Sequence, residues 1–181
     1  MTPSPDDLLD FWFRDIPEAA WWRKDADFDA QLAQRFGAAH AAAAAGELWH
    51  WRDCARGRLA EILLLDQIPR NIFRDTPRAF AGDGMALALA QEAVRAGADA
   101  ALPARERAFL YLPFMHSESA AVHAEALRLY AAPGLEFNLD FERRHAVIIQ
   151  RFGRYPHRNA ILGRSSTPEE LAFLNEPGSS F

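Results

Sequence analysis

One cysteine, Cys54, and one lysine, Lys24, stand in a chain of 181 residues. A lone cysteine rules out an internal disulfide and points to a reducing compartment. No stretch approaches the roughly 18 consecutive apolar residues of a spanning helix, and residues 1–10 lack the basic-then-apolar pattern of a secretory leader. The expectation is therefore a cytoplasmic protein with no membrane partner. Basic charge is also in short supply, with a net charge of −5 and a pI near 5.7. That argues against nucleic acid as a partner through bulk electrostatics. GxSxG, HExxH, CxxC and GxGxxG are all absent. Gly163-Arg164-Ser165-Ser166 is similar to the end of a Walker loop but lacks its lysine. No cofactor is expected from motifs. His116 and His123 lie two helical turns apart with no third ligand at a metal-site spacing, so no metal is expected either.

The 20 basic residues are thus 19 arginines and Lys24, beside 35 alanines. Both abundant types favour helix. A chain of this length should bury about 70% of its unfolded surface, enough for one all-α domain over residues 1–181 without staples. Residues 1–30 hold eight acids against three bases, which accounts for the whole net charge, whereas residues 140–164 hold six arginines against two acids. A basic segment lies inside an acidic protein.

Apolar residues recur at helical spacing and nowhere alternate long enough for a sheet. Ser4-Pro5-Asp6-Asp7 has the form of a capped helix start leading to Leu8 and Trp12. Asp25 should cap a second helix that buries Phe28, Leu32 and Phe36 and stops at Gly46. Asp53 should open a third, with Leu59, Ile62 and Leu63 inward, ending before Pro69. Asp83 should cap a fourth carrying Met85, Leu89 and Ala93, and Pro103 should start a fifth that ends near Pro113. Ser117 should open a sixth with Val122, Ala126, Leu129 and Tyr130. Asn138 or Asp140 should open a seventh with Phe141, His145, Ile148 and Phe152, and Thr167-Pro168-Glu169-Glu170 is a capping box for a short last helix. Short connections make consecutive helices antiparallel neighbours.

Residues 62–77 and 147–168 share a plan: an apolar helix end, a proline, an Arg-Asn pair, an apolar pair, an arginine and a closing Thr-Pro. The two Arg-Asn segments are predicted to touch. Asp66 continues the inward stripe of its helix, and a carboxylate there needs a partner, with Arg70, Arg74 and the arginines of 151–164 as candidates. Residues 151–164 gather four arginines, a histidine and an asparagine, donors suited to a phosphate or carboxylate. The candidate ligand-binding set is Asp66, Arg70, Asn71, Arg74, Arg151, Arg154, His157, Arg158 and Asn159. His116, Glu118 and His157 are the candidate catalytic groups, since a histidine beside a carboxylate can move a proton near neutral pH.

LLDFWF at 8–13, LLLDQIPRNIFRDTPRAFAGD at 63–83, YLPFMHSE at 111–118 and RFGRYPHRNAILGRSSTPEELAFL at 151–174 carry a resemblance nearly end to end. The chain is identified as a member of the mainly bacterial domain of unknown function 924 family. That resemblance implies a tetratricopeptide-like α-α superhelix and supplies no activity, cofactor or catalytic residue. Three functional readings stand. The first is a binding protein for an anionic small molecule or peptide carboxylate; the second is an enzyme using His116 or His157 in the same pocket. The third is a scaffold whose Trp-rich first third docks a partner or a second copy of the chain.

Overall fold

The computed structural model describes residues 3–179, and among them the regular structure is entirely helical. The eight α-helices are α1 (Pro5–Asp10), α2 (Ala26–Ala44), α3 (Ala55–Ile72), α4 (Asp83–Arg95), α5 (Ala104–Met115), α6 (Ala120–Tyr130), α7 (Glu136–Phe152) and α8 (Pro168–Phe173). Tight helical turns fill most of the connections, including Trp49–Asp53 before α3, Pro77–Phe80 before α4 and Pro156–Arg158 after α7. The cap expected at Ser4 and the capping box expected at Thr167 both form, and the Ser4 cap is itself a capping box. The Ser4 and Thr167 side chains accept from the backbone three residues on, and Asp7 and Glu170 accept in return from the cap residue's N–H.

Helix α3 is the axis of the molecule. It packs against α1, α2, α4 and α5, while α5, α6 and α7 continue the succession. Its apolar residues from Leu59 to Ile68 are fully buried, because neighbours cover it on several sides. One core runs from α1 to the start of α7, and a smaller cluster of Ile148, Ile149, Tyr155 and Phe173 lies under the C-terminal segment. Trp12 and Trp51 are core residues, whereas Trp22 and Trp49 are largely exposed, so the tryptophans do not form one cluster.

Several helix ends depart from the sequence expectation. The cap of α3 is Cys54, whose sulfur accepts from the Gly57 N–H, and not Asp53. The helix then runs through Pro69 to Ile72. Proline removes the N–H that would have bonded the Leu65 carbonyl. Gly82 packs against that carbonyl: a Cβ at 82 would sit 2.6 Å from the Leu65 oxygen. This close approach brings the start of α4 beside the end of α3. Asp83 does not cap α4, whose N-cap is Gly82; its carboxylate is turned instead toward arginines. Helix α6 starts after Ser119 and not at Ser117, whose carbonyl is taken by His123. Helix α7 starts at Glu136, ahead of Asn138 and Asp140, because Glu136 accepts from the Gly134 N–H and stabilises an earlier first turn.

Candidate functional site

The end of α3, the start of α4, the C-terminus of α5 and the 156–158 turn meet at one place. Asp66, on the last turns of α3, is 1% exposed. Its Oδ1 accepts from His116 Nδ1 at 2.7 Å, and its Oδ2 accepts from Gln67 Nε2 at 2.7 Å. Arg70 Nη1 stands 3.4 Å from the same carboxylate. Burial alone would raise the Asp66 pKa, but the Arg70 guanidinium and the His116 bond outweigh it and hold the carboxyl well below its ordinary range. An ionised carboxylate can only accept, so the His116 proton sits on Nδ1 and its Nε2 presents a lone pair. Burial pushes the His116 pKa down, opposed in part by Asp66. Nε2 has no hydrogen bond among the described residues.

Arg70 and Arg158, the two arginines of the repeated plan, converge on Asp83. Arg70 Nη2 donates to Asp83 Oδ2 at 3.0 Å and Arg158 Nη1 to the same oxygen at 3.2 Å. The segments therefore touch, through an aspartate that neither contains. Both guanidinia also lie on the Phe80 ring, at 5.7 and 4.7 Å from its centre, and Arg158 packs on Tyr155 at 4.6 Å.

A cleft of about 380 Å³ opens here. Pro77, Phe80, Leu87, Pro113 and Leu162 make its apolar walls, and Asp83, His116, Glu118 and Arg158 its polar ones. A larger hollow of about 490 Å³ lies beside the start of α2. Its Arg23 and Asp25 pair with each other at 2.7 Å, and Asp25 is already occupied as the α2 cap. Chemistry therefore favours the smaller cleft.

The arginines differ in how they are used. Arg52, Arg74 and Arg154 each present the Nε–Nη2 edge to one carboxylate, of Glu61, Asp29 and Glu170 respectively, with distances of 2.6–2.8 Å. Arg164 grips Glu118 at 2.6 and 2.9 Å and bonds Asn159 through Nε. Arg158 is used differently. It is only 6% exposed, its Nε is buried without an acceptor, and Nη2 makes no hydrogen bond among the described residues. The edge that Arg52, Arg74 and Arg154 fill with a carboxylate has no hydrogen bond among the described residues on Arg158, which lines the cleft.

Of the candidate residues, Asp66, Arg70, His116, Glu118 and Arg158 are brought together. Glu118 lines the cleft but accepts from the Tyr155 N–H and from Arg164; burial would raise its pKa, and those bonds hold it low. Arg74 ties α3 to α2 through Asp29, and Asn71 bonds the Gln67 carbonyl and Arg74. Arg154 and Asn159 both serve Glu170, whose pKa falls to about 2 under the Arg154 bonds. Arg151 is exposed on the rings of Phe152 and Phe173. His157 packs against Tyr155, 5.5 Å between ring centres. None of these six arginine, asparagine and histidine positions lines the cleft.

Sequence reasoning missed Asp83 as a site residue, and with it Phe80, Leu87 and Leu162. It also missed the buried pair of His123 and Glu142, at 2.6 Å, which supports the site from below. His123 Nε2 donates to the Ser117 carbonyl at 2.8 Å, and the Tyr155 hydroxyl donates to the Met115 carbonyl. The second satisfies an orphan carbonyl at the end of α5 and the first a carbonyl just beyond it, so together they fix the backbone that carries His116. The spacing of His123 and Glu142, on facing helices, gave no local signal. Among the described residues no group of three or more histidines, cysteines or acids is placed to hold a metal ion.

Burial makes this region acid-sensitive. It pushes the His145 pKa down from 6.5 to about 3 and that of His157 to about 4. The unfolded chain takes up these protons near 6.5 and the folded one refuses them, so stability falls as pH drops below that value. Glu142, whose pKa burial raises, works in the opposite direction. The unfolding free energy from urea titrations should be higher at pH 7 than at pH 5, by about 2 kcal/mol from His145 before the opposing effect of Glu142. Equal values would show that these rings are protonated in the folded protein.

The class that these features define is an all-α protein with a charged cleft where its central helix meets a basic C-terminal segment. The chain belongs to the bacterial family of proteins of unknown function DUF924, whose family model matches residues 8–178. It is similar to the protein of unknown function ATU0120 from Agrobacterium tumefaciens, with 44% identity and a TM-score of 0.89 over 94% of this chain and 96% of that one. No curated protein matches the chain. No helix among the described residues is long and apolar enough to cross a membrane.

Proposed function

We propose that this is a cytoplasmic binding protein whose cleft takes a small molecule through its carboxylate or phosphate group, held side-on by Arg158. The reading treats residues 1–181 as one domain of stacked, tetratricopeptide-like helix pairs. The observation that carries it is the empty Nε–Nη2 edge of Arg158. A charged donor left buried without an acceptor costs about 1–3 kcal/mol or more, and a planar anion seated on that edge would satisfy both nitrogens at once. The cleft volume lies near the lower end of the 300–1,000 Å³ usual for ligand sites, which favours a small molecule over a peptide.

Calorimetric titration with 3-phenylpropionate and with inorganic phosphate tests the reading. Wild type should bind at least one of them, and Arg158→Met should weaken that binding by about tenfold or more. Equal binding by the variant, or no binding of either anion by wild type, would contradict it.

The Asp66–His116 bond favours a second reading, in which the bound molecule is also a substrate. A carboxylate that fixes the imidazole tautomer and leaves Nε2 bare is the arrangement a general base requires. Conversion of a bound ligand, followed by NMR and abolished in His116→Asn, would distinguish enzyme from binder.

A further inference from the structure

The cleft holds more than an anion subsite. Three carboxylates, Asp66, Asp83 and Glu118, face three guanidinia, Arg70, Arg158 and Arg164, and every one of them is in an ion pair. With His116 neutral, the assembly carries no net charge. A plain anion would leave it with an uncompensated negative charge in a largely buried place, which is costly. A ligand that brings one charge of each sign leaves the balance at zero.

Two acceptors belong to residues that line the cleft. Asp83 Oδ1 is buried and makes no hydrogen bond, although Arg70 Nη1 lies 3.0 Å away, and His116 Nε2 offers a lone pair. Both groups line the same cleft as Arg158. His116 Nε2 lacks a donor, Asp83 Oδ1 has only the Arg70 ion pair, and Arg158 Nε lacks an acceptor. An α-ammonium group, with three N–H donors beside a carboxylate, supplies both needs. The remaining walls, Pro77, Phe80, Leu87, Pro113 and Leu162, suit an apolar side chain.

Building on the anion-binding reading above, we propose that the ligand is a free α-amino acid with an apolar side chain. Its carboxylate lies on the Nε–Nη2 edge of Arg158, its ammonium group faces Asp83 and His116, and its side chain lies among Phe80, Leu87 and Leu162.

The test is calorimetric titration of the full chain with L-phenylalanine, L-leucine, 3-phenylpropionate and phenethylamine. Phenylalanine or leucine should bind about tenfold or more tightly than 3-phenylpropionate, which lacks the ammonium group, and phenethylamine, which lacks the carboxylate, should bind least. If 3-phenylpropionate binds as tightly as the amino acids, or phosphate alone binds, the zwitterion is wrong and the anion site stands. If phenethylamine binds best, both fall. If no compound binds, the inference is overturned.

A second variant guards against a folding artefact. Gly84 lines the cleft in the first turn of α4, and a Cβ there would meet nothing within 4 Å. Gly84→Phe should therefore keep the urea midpoint of wild type, fill the cleft and abolish amino-acid binding. Unchanged amino-acid affinity in this variant would place the ligand elsewhere.

Discussion

Replacing Asp66 by alanine should destabilise the fold by about 3–5 kcal/mol, the usual cost of breaking a buried ionic network by removing one partner. Asp66 is the group on which α3 and the end of α5 agree. It receives the His116 ring, the Gln67 amide and the field of Arg70 at once. Without it, His116 Nδ1–H and the Gln67 amide lose their acceptor in a place water does not reach freely. Arg70 keeps Asp83, so the loss falls chiefly on the link to α5. Asp66→Asn retains a carbonyl acceptor for His116 and should cost less, about 1–3 kcal/mol. Urea midpoints at constant m-value measure both. An alanine variant as stable as wild type would mean that His116 is not held by this carboxylate.

A comparable loss is expected where the fold has no room at all. Gly57, in the first turn of α3, lies so close to the Trp49–Asp53 turn that a Cβ would stand 1.9 Å from the Trp51 carbonyl oxygen. The obstacle is backbone, so no side-chain rotation relieves it, and α3 and the turn must move apart. Trp51 is 7% exposed and the Arg52–Glu61 fork spans the same junction, so the movement disturbs buried groups. Gly57→Ala should cost at least about 3 kcal/mol, the upper range for overpacking. Gly84→Ala is the matched control, with open space around its Cβ and the helix preference of alanine in its favour. Equal midpoints for the two alanine variants would contradict the close approach.

Much of the architecture was legible because local chemistry decides it. The caps at Ser4 and Asp25, the capping box at Thr167 and the glycine stop at 46 all act within a few residues. Pro69 misled because tertiary packing overrode it: α3 lies between four other helices, and Gly82 packs against the carbonyl that proline leaves bare. Asp83 misled for a related reason. An aspartate before an apolar helix reads as a cap, and only the fold shows two arginines, 13 and 75 residues away in sequence, claiming its carboxylate.

The site was legible in part. The repeated Arg-Asn plan correctly brought Arg70 and Arg158 together, yet it did not distinguish an arginine with a free edge from one spent on the fold. Arg154 and Arg158 sit four residues apart in the same segment. Arg154 finds Glu170 and holds α8, while Arg158 finds one oxygen of an aspartate already taken. That difference arises from partners on other helices and leaves no trace in local sequence.

If Arg158 is kept for something other than the fold, the urea midpoint of Arg158→Met tests this most directly. Asp83 keeps Arg70 when Arg158 is gone, and methionine fills the space between Phe80 and Tyr155 without an unmet donor. Stability should stay within about 1 kcal/mol of wild type at unchanged m-value, even though a cation–π contribution of about 0.5–2 kcal/mol is lost. A loss of about 3–5 kcal/mol would show that Arg158 is a structural pin and that its empty edge has no ligand to receive.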